Sequence, residues 1–348
     1  MDIIRGSAPL GKARNTADGS FAAPPPEVKT FNFRNTFISG KIIVRKDEFN
    51  FCPLDTGSSD SWIRKTLRPD ELLEPRREKI INYAGSLAVT GLFIEKTVIL
   101  GGLLLNRQSI LAIPDRGMSA NWGQDSTYIP NCVIALALTG RNSSDSIVAS
   151  LRSQQEISNF SLAVSRIYEP PGKLVMNRMP ASPIKYDSSW ATVRVIQHSP
   201  TDVHRGAWMI QVDGFDIPAG DHRNQPVKDA IVDSGSGYLV LPPGLAMSII
   251  SKWPGAIKEI AHKNTETRWM VSCNETPPRI GVILGGNTIY IEPEDMIIRD
   301  EVENGCLAAI LVHADKRVKP LIGLPFLTNA VVVFDTEGKE MRFYQRRR

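Results

Sequence analysis

The sequence predicts a mainly β protein built as two lobes, and three observations carry that expectation. Its 348 residues include 26 Gly and 24 Pro. Short Val/Ile/Leu/Phe runs alternate with Gly, Pro, Asn and Asp, while long helical periodicities are scarce, which is the pattern of many strands joined by tight turns. At roughly 150 residues per domain the length suits two units, each large enough to bury a core. Finally, the chain echoes itself. Asp55-Thr56-Gly57-Ser58 returns as Asp233-Ser234-Gly235-Ser236, and Val98-Ile99-Leu100-Gly101-Gly102 returns as Val282-Ile283-Leu284-Gly285-Gly286 at nearly the same interval. A duplicated lobe accounts for both echoes.

Each Asp motif follows an apolar lead, Cys52-Pro53-Leu54 or Ala230-Ile231-Val232, so each reads as a strand running into a turn. A carboxylate at a strand end sits on a rigid element, and the following glycine lets backbone approach closely. The hydroxyls of Thr56, Ser58, Ser234 and Ser236 can donate to the carboxylates or support the turns. If the repeat brings Asp55 and Asp233 together, both cannot ionise comfortably, so they share a proton and one pKa rises. Such a pair can activate a water and protonate a tetrahedral oxyanion without metal or covalent intermediate.

Asp55-Thr56-Gly57-Ser58-Ser59 followed by Trp62, and Asp233-Ser234-Gly235-Ser236, match in order and separation the two active-site signatures of the pepsin-like aspartic proteases. The chain therefore resembles a divergent, fungal-type member of that family, over about residues 31 to 345. The resemblance implies a bilobal pepsin-like fold, with two pseudo-symmetric β-barrel-like lobes around a cleft. It implies an N-terminal lobe over 31–185 with Asp55 and the flap, and a C-terminal lobe over 186–348 with Asp233. Asp55 and Asp233 would be catalytic, Ser58 and Ser236 would support their network, and Thr56 and Ser234 would brace the turns beside Gly57 and Gly235.

Taken in order, residues 1–30 are rich in Gly, Ala, Pro and Ser and read as a disordered leader; Lys12, Arg14 and Lys29 could be the remnant of a pro-segment. From Phe31 to Leu54 alternation predicts strands that deliver Asp55, with Pro53 marking an edge or bulge. The polar turn Arg45-Lys46-Asp47-Glu48 stands where the family has Gly-Thr-Pro. Ile80 to Gly91 reads as a hairpin. By resemblance it is the flap, carrying Tyr83, Gly85 and Ser86, with Trp62 as the indole that Tyr83 meets. Asn131 to Ala137 occupies the place of a small-residue strand beside the first aspartate, and its Cys132, Ala135 and Ala137 add methyl-sized bulk where backbones approach. Leu174 to Asn177 reads as a further strand and Ser146 to Gln154 as a helix burying Ile147, Val148 and Leu151.

In the second half, Trp208 to Phe215 resembles the family's strand entering the second lobe and reads as core, Pro243 to Trp253 reads as a helix entered at proline, and Leu321-Ile322-Gly323 and Val331 to Asp335 match the family's closing strands. Cys273 and Cys306 match by position the disulfide of the second lobe. Cys52 and Cys132 match no bridge of the family; they are either a cross-strand pair or two buried thiols, and the free-thiol reading is preferred.

The remaining patterns exclude other functions. The five histidines are scattered without ligand spacing, so neither metal nor other cofactor is expected. Basic residues are not interleaved with aromatics, which argues against nucleic acid, and Arg346-Arg347-Arg348 reads as a solvated tail. No apolar run approaches the ~20 residues of a membrane span. The expected partner is a peptide or protein substrate held in an extended conformation by a monomer. Family resemblance implies a secreted or vacuolar protein, and sequons at Asn142, Asn159 and Asn274 agree, although Met1 to Lys29 lacks a signal peptide's apolar segment. The alternative is a weak or inactive pepsin-fold protein, serving as peptide binder or accessory protein in a specialised-metabolite pathway.

Overall fold

The computed structural model describes residues 3–4, 26–33, 37–45, 47–68, 71, 77–83, 87–118, 130–138, 146–197, 206–218, 225–253, 258–262, 266–300, 305–315 and 318–347. Strands dominate these residues, and the chain has the mainly β, bilobal pepsin-like architecture. Among the described residues the strands form sheets of fifteen, nine and three. The largest begins in the first half and returns for the C-terminal pair Ala330–Asp335 and Glu340–Arg347. Phe160 lies opposite Phe334 and Ala163 opposite Val331, so the two halves share this sheet across residue 185.

Its first long strand, Glu27–Phe33, starts inside the span read as a leader. Val28 is fully buried and pairs with Leu174 on one side and Ile3 on the other. Lys12 and Arg14 lie outside the described residues. The C-terminal arginines also depart from expectation. Arg346 lies in the last strand, pairs with Tyr186, and donates to Glu169 Oε2 at 2.8 Å as well as to the Val164 carbonyl; Arg347 ends the strand and reaches Asp187. They belong to the sheet because Glu340–Arg347 runs antiparallel to three strands that use its full length.

Both glycine echoes are hairpin tips. Gly101, Gly102, Gly285 and Gly286 all have positive φ (61°, 77°, 53° and 77°), the conformation that two-residue hairpins require and glycine supplies. The helix Ile147–Gln155 starts from a Ser146 cap whose hydroxyl accepts from the Ala149 amide, and it buries Ile147, Val148 and Leu151. Pro243–Ile250 is the second helix, with proline at its first turn.

One hydrophobic core runs through both lobes. At its centre Phe160 stacks on Phe334 at 4.7 Å, and Trp208 meets Phe334 edge-on at 5.0 Å. The Trp208 indole is fully buried and donates to the Leu136 carbonyl at 2.7 Å, satisfying its one polar atom.

Two disulfides cross-link the chain. Cys273–Cys306 is the expected bridge, but Cys52–Cys132 is also oxidised, against the free-thiol reading. The reason is register. Strands Asp47–Asp55 and Cys132–Ala135 lie parallel with Leu54 opposite Ile134, so positions two residues earlier in each, Cys52 and Cys132, fall side by side. The bulge expected near Pro53 falls just before it: the pairing with the preceding strand slips between Gly40 and Ile42, opposite Asn50 and Phe51, and Phe51 takes a positive φ of 58°, while Pro53 itself is paired with Ser39. Of the three sequons, Asn159 is 5% exposed within a sheet strand and cannot accept a glycan in the folded protein. Asn274 lies on an exposed turn, and Asn142 is outside the described residues.

Candidate active site

Asp55 is the last residue of strand Asp47–Asp55, and Asp233 directly follows strand Val227–Val232. Each strand is flanked by a parallel neighbour, Cys132–Ala135 in the first lobe and Leu321–Ile322 in the second. Two strand ends are thereby pinned inside sheets with their carboxylates facing each other.

The turns interlock across the lobes. Thr56 N donates to Ser234 Oγ at 3.0 Å, and Ser234 N donates to Thr56 Oγ1 at 2.9 Å. Each hydroxyl then donates to the strand behind the opposite aspartate, Thr56 Oγ1 to Val232 O at 2.7 Å and Ser234 Oγ to Leu54 O at 2.6 Å. Both side chains are fully buried and fully satisfied, which rigidifies the pair of turns.

Gly57 and Gly235 serve the close approach. A Cβ on Gly57 would lie 2.6 Å from Asp233 Cγ, and one on Gly235 would lie 2.8 Å from Asp55 Cγ. No side chain fits at either position without pushing a carboxylate away.

The carboxylates differ in their partners. Asp55 is 8% exposed and accepts from Gly57 N at 2.9 Å and from Ser58 Oγ at 2.7 Å. Asp233, half-buried, accepts from Gly235 N at 2.8 Å. Ser236 does not reproduce Ser58: its hydroxyl accepts from Tyr238 N and donates to Tyr238 O, both at 3.2 Å. Removal from water first, and the neighbouring Asp55 charge second, raise the Asp233 pKa well above the ordinary carboxylate value, against the opposing pull of the Gly235 amide.

Tyr83 ends strand Glu78–Tyr83, and its hydroxyl accepts from Trp62 Nε1 at 2.8 Å, the contact expected of a flap tyrosine. Burial and then the Asp55 charge raise the Tyr83 pKa, so the phenol keeps its proton. Gly85 and Ser86 lie outside the described residues.

A model of the eukaryotic aspartyl protease family matches residues 73–346. The chain belongs to this family. The matched span takes in Asp233 and opens after Asp55, so the first motif rests on its own residues and on the geometry around it. Among relatives of this aspartyl protease, rhizopuspepsin-1 of Rhizopus niveus is 24% identical over 83% of the chain and 73% of its own length. Penicillopepsin-3 of Penicillium janthinellum is also 24% identical, over 83% and 74% respectively. A protein of Aspergillus fumigatus named "Probable aspartic-type endopeptidase" is 33% identical over 118 residues, which span 32% of this chain and 26% of that relative.

The sequence reading did not anticipate three residues of the site. Ser61 Oγ accepts from Ala135 N at 3.0 Å, joining the first turn to the strand that carries the larger residues. A Cβ on Gly323 would fall 2.3 Å from Tyr238 O and 2.5 Å from Ser236 O, so that glycine is required behind the second turn. Asp60 forms an ion pair with Lys79, on strand Glu78–Tyr83, at 2.6 Å. The Leu321-Ile322-Gly323 match hints at the glycine; Ser61 and the Asp60 ion pair have no local signature.

Proposed function

We propose that this aspartyl protease hydrolyses peptide bonds with a water activated between Asp55 and Asp233, and that the two carboxylates divide the work. Asp55, supplied with two hydrogen-bond donors, is the base that takes the water proton. Asp233, whose environment disfavours its charge, holds the shared proton and delivers it to the carbonyl oxygen as the tetrahedral intermediate forms. The pair titrates as a unit. The observation that carries this reading is the interlock of Thr56 with Ser234, which presses each aspartate against the other's glycine.

Tyr83 retains its proton for donation toward a bound peptide, and the hairpin behind it excludes water when substrate enters. An extended peptide of a protein substrate is the ligand that a cleft between two sheets accepts. The two disulfides support an oxidising compartment.

The second reading, a peptide binder without turnover, draws on Ser236, which leaves Asp233 without the hydroxyl donor that Asp55 has. Cleavage of a peptide library across acidic pH separates the two. The protease reading expects pepstatin-sensitive cleavage lost in Asp233→Asn; pepstatin binding without cleavage at any pH would establish the binder instead.

A further inference from the structure

Among the described residues the flap strand Glu78–Tyr83 closes one end of its sheet and pairs with Leu87–Leu100 alone. Among the described residues no ladder bond ties it to the turn that carries Asp55. Side chains make that connection. Lys79, Ile81 and Tyr83 occupy one face of the strand and alternate with the more exposed Glu78, Ile80 and Asn82. Tyr83 meets Trp62, and Ile81 packs against the cluster built on Trp62, Phe93 and Leu111. At the other end of the face, Lys79 Nζ donates to Asp60 Oδ1 at 2.6 Å, while the second oxygen of Asp60 accepts from Ser59 Oγ at 3.1 Å.

We propose that the Asp60–Lys79 ion pair is a positioning latch that fixes the hairpin over the two aspartates. An edge strand tethered at one point pivots about it. Lys79 and Tyr83 are four residues apart, about 13 Å along a strand, so two anchors at this separation remove the pivot. Asp60 and Trp62 belong to the loop and strand that leave Asp55, so both anchors refer the hairpin to the catalytic turn itself. The pair is also screened from water, with 23% of the Lys79 and 16% of the Asp60 side chain exposed, which places it above the weak surface pairs. Lys79 acts through Asp60 and touches no reacting atom; its effect is on how the cleft grips an extended peptide. The kinetic part rests on the protease reading above, and the mechanical part does not.

A double-mutant cycle decides it, with Lys79→Met, Asp60→Asn and the double variant, and Lys79→Arg as the conservative replacement. Hydrogen–deuterium exchange of residues 78–83 is read without substrate, and KM and kcat with a peptide substrate. The latch predicts that each single substitution speeds exchange about tenfold and raises KM about tenfold with kcat held within about threefold, and that the double variant is no worse than either single. Lys79→Arg retains near-native exchange. Native exchange in Lys79→Met, or effects that multiply in the double variant, would overturn it. Because exchange needs no turnover, a protein that cleaves no peptide would defeat the protease reading while the cycle still decides the latch.

Discussion

The two aspartate turns have nearly the same backbone and different surroundings. Behind Asp55 lies the strand that ends at Ala135 and runs on to Ala137, cross-linked by Cys52–Cys132 and tied back by Ser61. Behind Asp233 lies Gly323, packed so closely that a methyl would meet two carbonyl oxygens. Asp55 receives a hydroxyl from Ser58, whereas Ser236 turns to Tyr238. A symmetric scaffold thus holds two carboxyls at contact, and their hydrogen-bonding neighbours differ. Ala135 is buried and pairs with Asp55 in the ladder, and Ala137, two residues beyond the strand end, is buried with its amide donating to the Ser58 carbonyl at 3.0 Å.

Breaking the comparison at its most costly point means removing the bridge found in the first lobe alone. Cys52→Ala with Cys132→Ala opens a loop whose ends are 80 residues apart, and loop-closure entropy sets the loss at about 4 kcal/mol. Urea denaturation measures it. Next in size is Gly323→Ala, expected to cost about 2–3 kcal/mol because backbone must shift, while Ala135→Gly costs under about 1 kcal/mol; equal losses would mean that the strands behind the turns are not different after all.

The electrostatic side of the comparison is sharpened by paired serine variants. Ser58→Ala should lower kcat about tenfold, the effect of losing a hydrogen bond to a charged group, and Ser236→Ala should lower it less than about threefold. A pH-dependent contribution to the first lobe belongs to Glu71, a buried acid gripped by Lys65 at 3.1 Å and Lys96 at 3.4 Å. Burial opposes its charge, but the Lys65 hydrogen bond and the Arg68 amide prevail and bring its pKa from 4.5 to about 2. A depressed carboxylate stabilises above its unfolded pKa, and that contribution fades as pH falls through the folded value. Glu71→Gln should therefore lower Tm at pH 6 and match the parent near pH 2.

Much of this was legible in the residues. Asp55, Asp233, their glycines and the hairpin tips at Gly101 and Gly285 are local patterns, and local patterns survive folding. Cys52 and Cys132 were not paired in advance because their adjacency depends on a parallel register between strands 80 residues apart. Arg346 looked like a tail because its partners, Glu169 and the Val164 carbonyl, come from a distant part of the chain. Ser58 and Ser236 look alike in sequence, and only the path of Tyr238 separates them.

The division of labour between the aspartates is tested most directly by kcat/KM against pH for a cleaved peptide. With Asp233 as the proton carrier, cleavage should persist above the ordinary carboxylate range, fall as pH rises through the raised pKa of the pair, and vanish throughout in Asp233→Asn. Cleavage that is flat through neutral pH, or that survives Asp233→Asn, would contradict the account.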